Sequence, residues 1–152
     1  NRMITKEFFV GGTPKPQGSK RAFLHPHTQK IILTESAGPA LKQWREMVQT
    51  GAKLNFPDGP FAGDVMVSLV FSLQRPKSHY GTGRNSEKLK SKARQRHTFK
   101  PDLDKLTRAV FDGLSGAAIV DDCQVFSLFA MKRWAEINED TGCWMKIQEV
   151  GS

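Results

Sequence analysis

This chain is poor in the features that staple or anchor small proteins. It holds two cysteines in 152 residues, Cys123 and Cys143, and no Cys-x-x-Cys pair. The four histidines (His25, His27, His79 and His97) are scattered, so no Cys/His cluster has zinc spacing. These absences exclude a disulfide scaffold and a zinc module, and they predict free thiols. No apolar run is long enough to span a bilayer. No apolar stretch after Asn1-Arg2-Met3 has the form of a secretion signal. A reducing cytoplasm is the expected compartment, with no membrane partner. Acidic residues are few beside basic ones: 15 Asp and Glu against 23 Lys and Arg, a formal net charge of +8. An excess of that sign points to an anionic partner, of which nucleic acid is the commonest.

The length suits one domain spanning residues 1–152, with a core that needs no staple. Ile4 to Val10 reads as a first strand ended by Gly11-Gly12. Pro14 to Arg21 follows as a stiff basic loop carrying Lys15, Lys20 and Arg21. It lacks the glycine spacing of a P-loop, and two prolines interrupt it. Ala22-Phe23-Leu24 and Ile31-Ile32-Leu33 flank His25 to Thr28 as a short hairpin. Thr34 or Ser36 is the expected cap of a helix running to about Thr50, with Gly51 as its stop. Leu41, Trp44 and Val48 form its buried stripe.

Val65 to Leu73 alternates, with Val65, Val67, Leu69, Phe71 and Leu73 on one face. Asp102 to Leu114 reads as a second helix with Leu103, Leu106 and Val110 inward, broken by Gly113 and Gly116. Gln124 to Trp134 and Gly142 to Val150 read as two strands joined through Asn138-Glu139-Asp140, a hairpin by proximity in the chain. Val125, Phe126, Leu128, Phe129, Met131 and Trp134 put large apolar groups on both faces of the first of these, which predicts burial on both sides, one under the helices and the other under a partner subunit or a loop or helix of the same chain. The fold class expected is α+β: a mixed sheet of about four strands with two main helices.

The positive charge is local. Between residues 77 and 100, eight cations (Lys77, Arg84, Lys88, Lys90, Lys92, Arg94, Arg96 and Lys100) meet one acid, Glu87, for a local net of +7. With few apolar residues, this segment is expected to be a flexible loop that tracks phosphates. Immediately after it come Asp102 and Asp104, in the first turn of the second helix, where the helix dipole favours their ionised form. Asp121-Asp122 follow a short Gly/Ala-rich loop, and a helix–loop–strand return is expected to bring them back beside Asp102. Such carboxylates suit Mg²⁺, which takes few protein ligands and keeps waters. Arg108 lies one turn beyond Asp104, placed either to hold a phosphate or to pair with that acid; Lys105 is a second nearby cation. An acidic centre inside a basic surface is what a metal-dependent nuclease requires. In isolation, however, Asp at a helix start is commonly a cap, and Asp-Asp before a strand commonly a turn.

The run Lys100-Pro101-Asp102-Leu103-Asp104-Lys105-Leu106-Thr107-Arg108, with Asp112-Gly113-Leu114 and Asp121-Asp122-Cys123-Gln124-Val125, closely resembles the RusA family of Holliday-junction resolvases. The family pattern is Asp-x-Asp-Asn-Leu-x-Lys, then Asp-x-Leu, then Asp-Asp-x-Gln-Val. The proline-rich basic loop after the first strand also matches many members. The resemblance implies a Mg²⁺-dependent endodeoxyribonuclease, with Mn²⁺ as a substitute. It further implies a homodimer that presents two acidic sites to one four-way DNA junction. Carried over by position, the essential carboxylates are Asp102, Asp104 and Asp122, with Asp121 as a further candidate metal ligand and Arg108 as the catalytic cation. The DNA-holding set is Lys15, Lys20, Arg21, Lys88, Lys90, Lys92, Arg94, Arg96, Lys100 and Lys105. Lys105 stands where Asn is common and Arg108 where Lys is usual; Arg keeps the charge but is a planar fork.

Two other readings compete. A non-catalytic DNA-binding module explains the basic segment but has no use for Asp102, Asp104 and Asp122 together. A restriction-type nuclease wants an (Asp/Glu)-x-Lys triplet after the first acid, and none follows Asp102.

Overall fold

The computed structural model describes residues 2–18, 20–24, 26–35 and 38–151. Its elements in chain order are β1 (Met3–Gly11), β2 (Lys20–Leu24), β3 (Ile31–Glu35), α1 (Pro39–Asn55), β4 (Asp64–Leu73), α2 (Leu103–Leu114), β5 (Val125–Trp134) and β6 (Gly142–Val150). A four-stranded sheet has the order β1-β6-β4-β5, and β2-β3 form a separate antiparallel hairpin. β4 pairs parallel with β5 and antiparallel with β6, which pairs antiparallel with β1. The mixed sheet with two helices matches the expected α+β class. No helix among the described residues is long and apolar enough to cross a membrane.

One face of the sheet carries the core. Val65, Val67, Leu69 and Phe71 of β4 are fully buried with Met145 and Ile147 of β6. They pack with Leu41, Trp44, Val48 and Ala52 of α1 and with Leu106, Ala109, Val110 and Leu114 of α2. Two glycines let the layers approach. A Cβ on Gly51 would lie 2.9 Å from Val10 Cγ2, and one on Gly113 would lie 2.8 Å from Val48 Cγ1. Gly51 is therefore not the stop expected of it: α1 continues through it to Asn55 because the missing side chain is needed against β1. Gly113 likewise sits inside α2, and the turn falls to Gly116, whose φ is +85°. At its start, α1 is capped by Gly38 with Pro39 in the first turn; Thr34 ends up in β3, and Ser36 lies outside the described residues.

The expected hairpin between the last two strands is overturned. β4 lies between β5 and β6, so the connection through Asn138 and Glu139 crosses it. The thiols are free nonetheless, with Cys123 exposed and Cys143 buried. β5 is the sheet edge, and Phe126 and Phe129 stay 61% and 54% exposed, so no loop or helix among the described residues of the chain covers them. The sheet's second face is open. Phe9 pairs with Trp144, Trp144 with Val70 and Val70 with Met131, so one apolar row crosses all four strands there.

Candidate functional site

β4, α2 and β5 form a crossover unit in which α2 runs back between two parallel strands. The segment 74–102 therefore lies at one end of the unit and 115–124 at the other. At the first end, Asp102 is the N-cap residue of α2, with extended backbone, yet its carboxylate makes no cap hydrogen bond. It meets the Lys100 ammonium at 3.0 Å, which holds the acid below its usual range, with Lys105 and Lys132 adding to the effect. Asp104 and Arg108 are exposed one turn apart, and neither enters an ion pair among the described residues. Lys105 accepts the Gln17 N–H at its carbonyl, 2.9 Å, which ties the proline-rich loop to this helix.

Sequence reasoning missed Lys132. It points to the helix side of β5, in register with Phe71, and its ammonium donates to the carbonyls of Phe99 and Pro101. The signal was there: a lysine at the same parity as Leu128, Ala130 and Trp134 needs a partner.

At the opposite end, Asp121 caps a short 3-10 turn, Asp122–Gln124. Its carboxylate accepts the Cys123 N–H at 2.9 Å, and Gln124 Oε1 accepts the Asp121 N–H at 2.8 Å. Gln124 Nε2 then donates to the carbonyls of Phe61 and Gly63, each at 2.8 Å. The Asp-Asp-x-Gln motif thus fixes where β5 starts. The Cys123 hydrogen bonds push the Asp121 acid down. Asp122 is pushed up, first by its contact with Asp121, then by partial burial and the charges of Asp121 and Asp112.

The expected return beside Asp102 does not occur in one chain. α2 has 12 residues, a rise of about 18 Å, and it separates Asp102 and Asp104 from Asp121 and Asp122. Asp122 is instead near Asp112, at the far end of the helix. Among the described residues, no three of His, Cys, Asp or Glu gather as a metal site. The donors are still of the right kind. All are hard carboxylate oxygens, as Mg²⁺ prefers.

The basic segment surrounds the first end. Lys88, Lys90, Lys92, Arg94, Arg96 and Lys100 are all exposed. Two 3-10 turns shape it, Lys77–His79 and Gly83–Asn85, with a bridge between Tyr80 and Leu89. Buried Arg75 anchors it by donating to the Arg94 carbonyl at 2.7 Å. Lys15 is half-buried and lines the same cavity as Asp102; the side chains of Lys20 and Arg21 lie outside what is described.

Fold and site together define an α+β protein with an exposed basic segment, in which Asp102 sits among Lys100, Lys105 and Lys132. The chain belongs to the RusA family of endodeoxyribonucleases: the family model "Endodeoxyribonuclease RusA" matches residues 12–140. It is also similar to "Uncharacterized protein YqaN" of Bacillus subtilis (strain 168), 30% identical over 133 residues that cover 86% of this chain and 88% of the relative.

Proposed function

We propose that this protein is a Mg²⁺-dependent endonuclease that resolves four-way DNA junctions as a homodimer, in recombination and repair. Family membership supports the reaction class. The observation that carries the mechanism is the placement of the acids at the two ends of α2. Asp102 and Asp104 of one subunit are completed by Asp121 and Asp122 of a second, so each dimer has two shared centres. A junction needs two symmetric nicks, and a twofold assembly presents both centres at once. The open sheet face with its row of Phe9, Trp144, Val70 and Met131, together with the exposed β5 edge, supplies apolar surface for the partner.

Bound by these carboxylates, Mg²⁺ would supply charge neutralisation at the scissile phosphate and an acidified water. The chain's own residues do the rest. Lys100 and Lys105 attract the backbone phosphate to Asp102, Arg108 holds it with a planar fork, and Lys132 keeps the Phe99–Asp102 turn in place. The basic segment 77–100 and Lys15, Lys20 and Arg21 grip the arms of the junction.

That no three ligands converge among the described residues of one chain favours the rival reading, a non-catalytic DNA-binding module. Complementation separates the two. Asp104→Asn and Asp122→Asn should each abolish cutting of a synthetic junction in Mg²⁺ while leaving binding intact. Mixing the two variants should restore cutting at one of the two centres, because a heterodimer then holds one unmutated shared centre. Full activity in either single variant or in EDTA refutes the nuclease reading, and failure of the mixture to cut refutes the shared centre.

A further inference from the structure

A cavity of about 790 Å³ opens beside Asp102, within the size range of about 300–1,000 Å³ that holds a small ligand. The Pro14-Lys15-Pro16 loop forms one wall, and Phe99, His97 and Trp134 form another. Lys15, Lys100 and Lys105 are also part of its lining. Trp134 is the centre of an aromatic cluster: its ring centroid is 4.1 Å from that of His97 and 6.3 Å from that of Phe99, and the Arg75 guanidinium lies over it at 5.0 Å. Trp134 and His97 are 8% and 6% exposed, and Trp134 Nε1 and His97 Nδ1 have no hydrogen-bond partner among the described residues. Burial holds the His97 imidazole below its usual range, with Lys132 adding to the effect. Phe99, 46% exposed, is the accessible ring of the cluster.

A bare phosphate has no use for aromatic walls, and an apolar molecule has none for three lysines. A nucleotide uses both. We propose that this cavity takes an unstacked nucleobase of the bound DNA, stacked on Phe99, next to the phosphate presented to Asp102 and Asp104. The inference rests on the proposed function and adds a substrate contact to it. Extracting a base from an intact duplex costs unpairing and unstacking, whereas a branch point offers it at less cost. The cavity therefore favours branched over linear DNA. It also gives the proline-rich loop, tied to α2 through Gln17 and Lys105, a role as the second wall of a base site.

The test uses the full chain and two DNA probes. On a synthetic four-way junction the cut position is located first, and the nucleotides flanking it are then replaced in turn by abasic residues. In EDTA, wild-type binding should weaken on the order of ten-fold at one of these positions. Phe99→Ala should bind intact and abasic junctions alike, and Phe99→Tyr should respond as wild type does. Wild-type protein that binds every abasic junction as tightly as the intact one overturns the inference and leaves junction cutting untouched. The second probe is a short single strand of thymidines, which should quench tryptophan emission in wild type and not in Phe99→Ala. If the junction is neither bound nor cut, the proposed function fails and this strand alone decides the cavity. Quenching that Phe99→Ala abolishes upholds it; no quenching, or quenching that survives in Phe99→Ala, overturns it.

Discussion

The ammonium of Lys132 donates to the carbonyl of Pro101 at 2.8 Å, one residue before Asp102. A second hydrogen bond to the Phe99 carbonyl closes the clamp, so a β5 side chain sets the geometry of the turn that delivers the first acid. Burial lowers the Lys132 pKa, and the charge of Asp102 opposes that shift. Lys132→Met should cost about 2 kcal/mol of stability, since two carbonyls lose a charged donor. Junction cutting should fall while junction affinity changes little. Urea unfolding and binding measured beside cutting check this, and wild-type stability with wild-type cutting would contradict it.

Arg133 grips Glu139 with both ends of its guanidinium, at 2.8 and 2.6 Å. That contact, helped by the Glu136 N–H, lowers the Glu139 carboxyl to about 2. The folded value lies below the unfolded one, so the stabilisation is present above about pH 4.5 and fades as pH falls toward about 2. Glu139→Gln should melt below wild type near neutral pH, and the gap should close in acid. The pair is about one-third exposed, so the gap is modest. A gap that stays constant from pH 6 to pH 2 would rule out this pair as its source.

Gly113→Ala should destabilise the protein although alanine favours helix. The new methyl would lie 2.8 Å from Val48 Cγ1 and 3.0 Å from the Arg45 carbonyl. Overpacking between helices costs about 1–3 kcal/mol, against a propensity gain of about 1 kcal/mol. A melting temperature at or above wild type would show that α1 and α2 separate freely.

Neutralising Lys88, Lys90 and Lys92 to Gln should weaken DNA binding and reduce its salt dependence, by about 0.9 in log–log slope for each phosphate no longer neutralised. All three are exposed and make no ion pair among the described residues, so stability should hold. Binding titrations across a range of salt decide it, and an unchanged slope would place the DNA elsewhere.

Much of the architecture was legible in residue patterning. The alternation of Val65 to Leu73 and the stripe of Leu41, Trp44 and Val48 mark the core face because each repeats a burial period. Strand order was not legible. Nothing in Asn138 to Asp140 tells a hairpin from a crossover, and the Lys132 clamp and the central place of β4 are long-range facts. The site was half-readable for the same reason. Asp102 and Asp104 could be placed on a helix start from local sequence. The position of Asp122 depended on the direction in which β5 leaves the turn, which is set by pairing with β4. Gly51 and Gly113 read as breakers because a sequence shows a missing side chain but not the neighbour that needs the space.

The crossover makes α2 a spacer of fixed length. One acid pair lies at its start, in a turn held by Lys132, and the other follows the loop after its end, in a turn that Gln124 ties to Phe61 and Gly63. Side chains along its exposed face are free to vary, but its number of turns is not. One residue more or less would rotate Asp104 and Arg108 about 100° around the helix axis relative to Asp122 and change their separation by about 1.5 Å. The helix is a ruler, and under the proposed shared centres the distance it measures is the distance between the two half-sites of each chain.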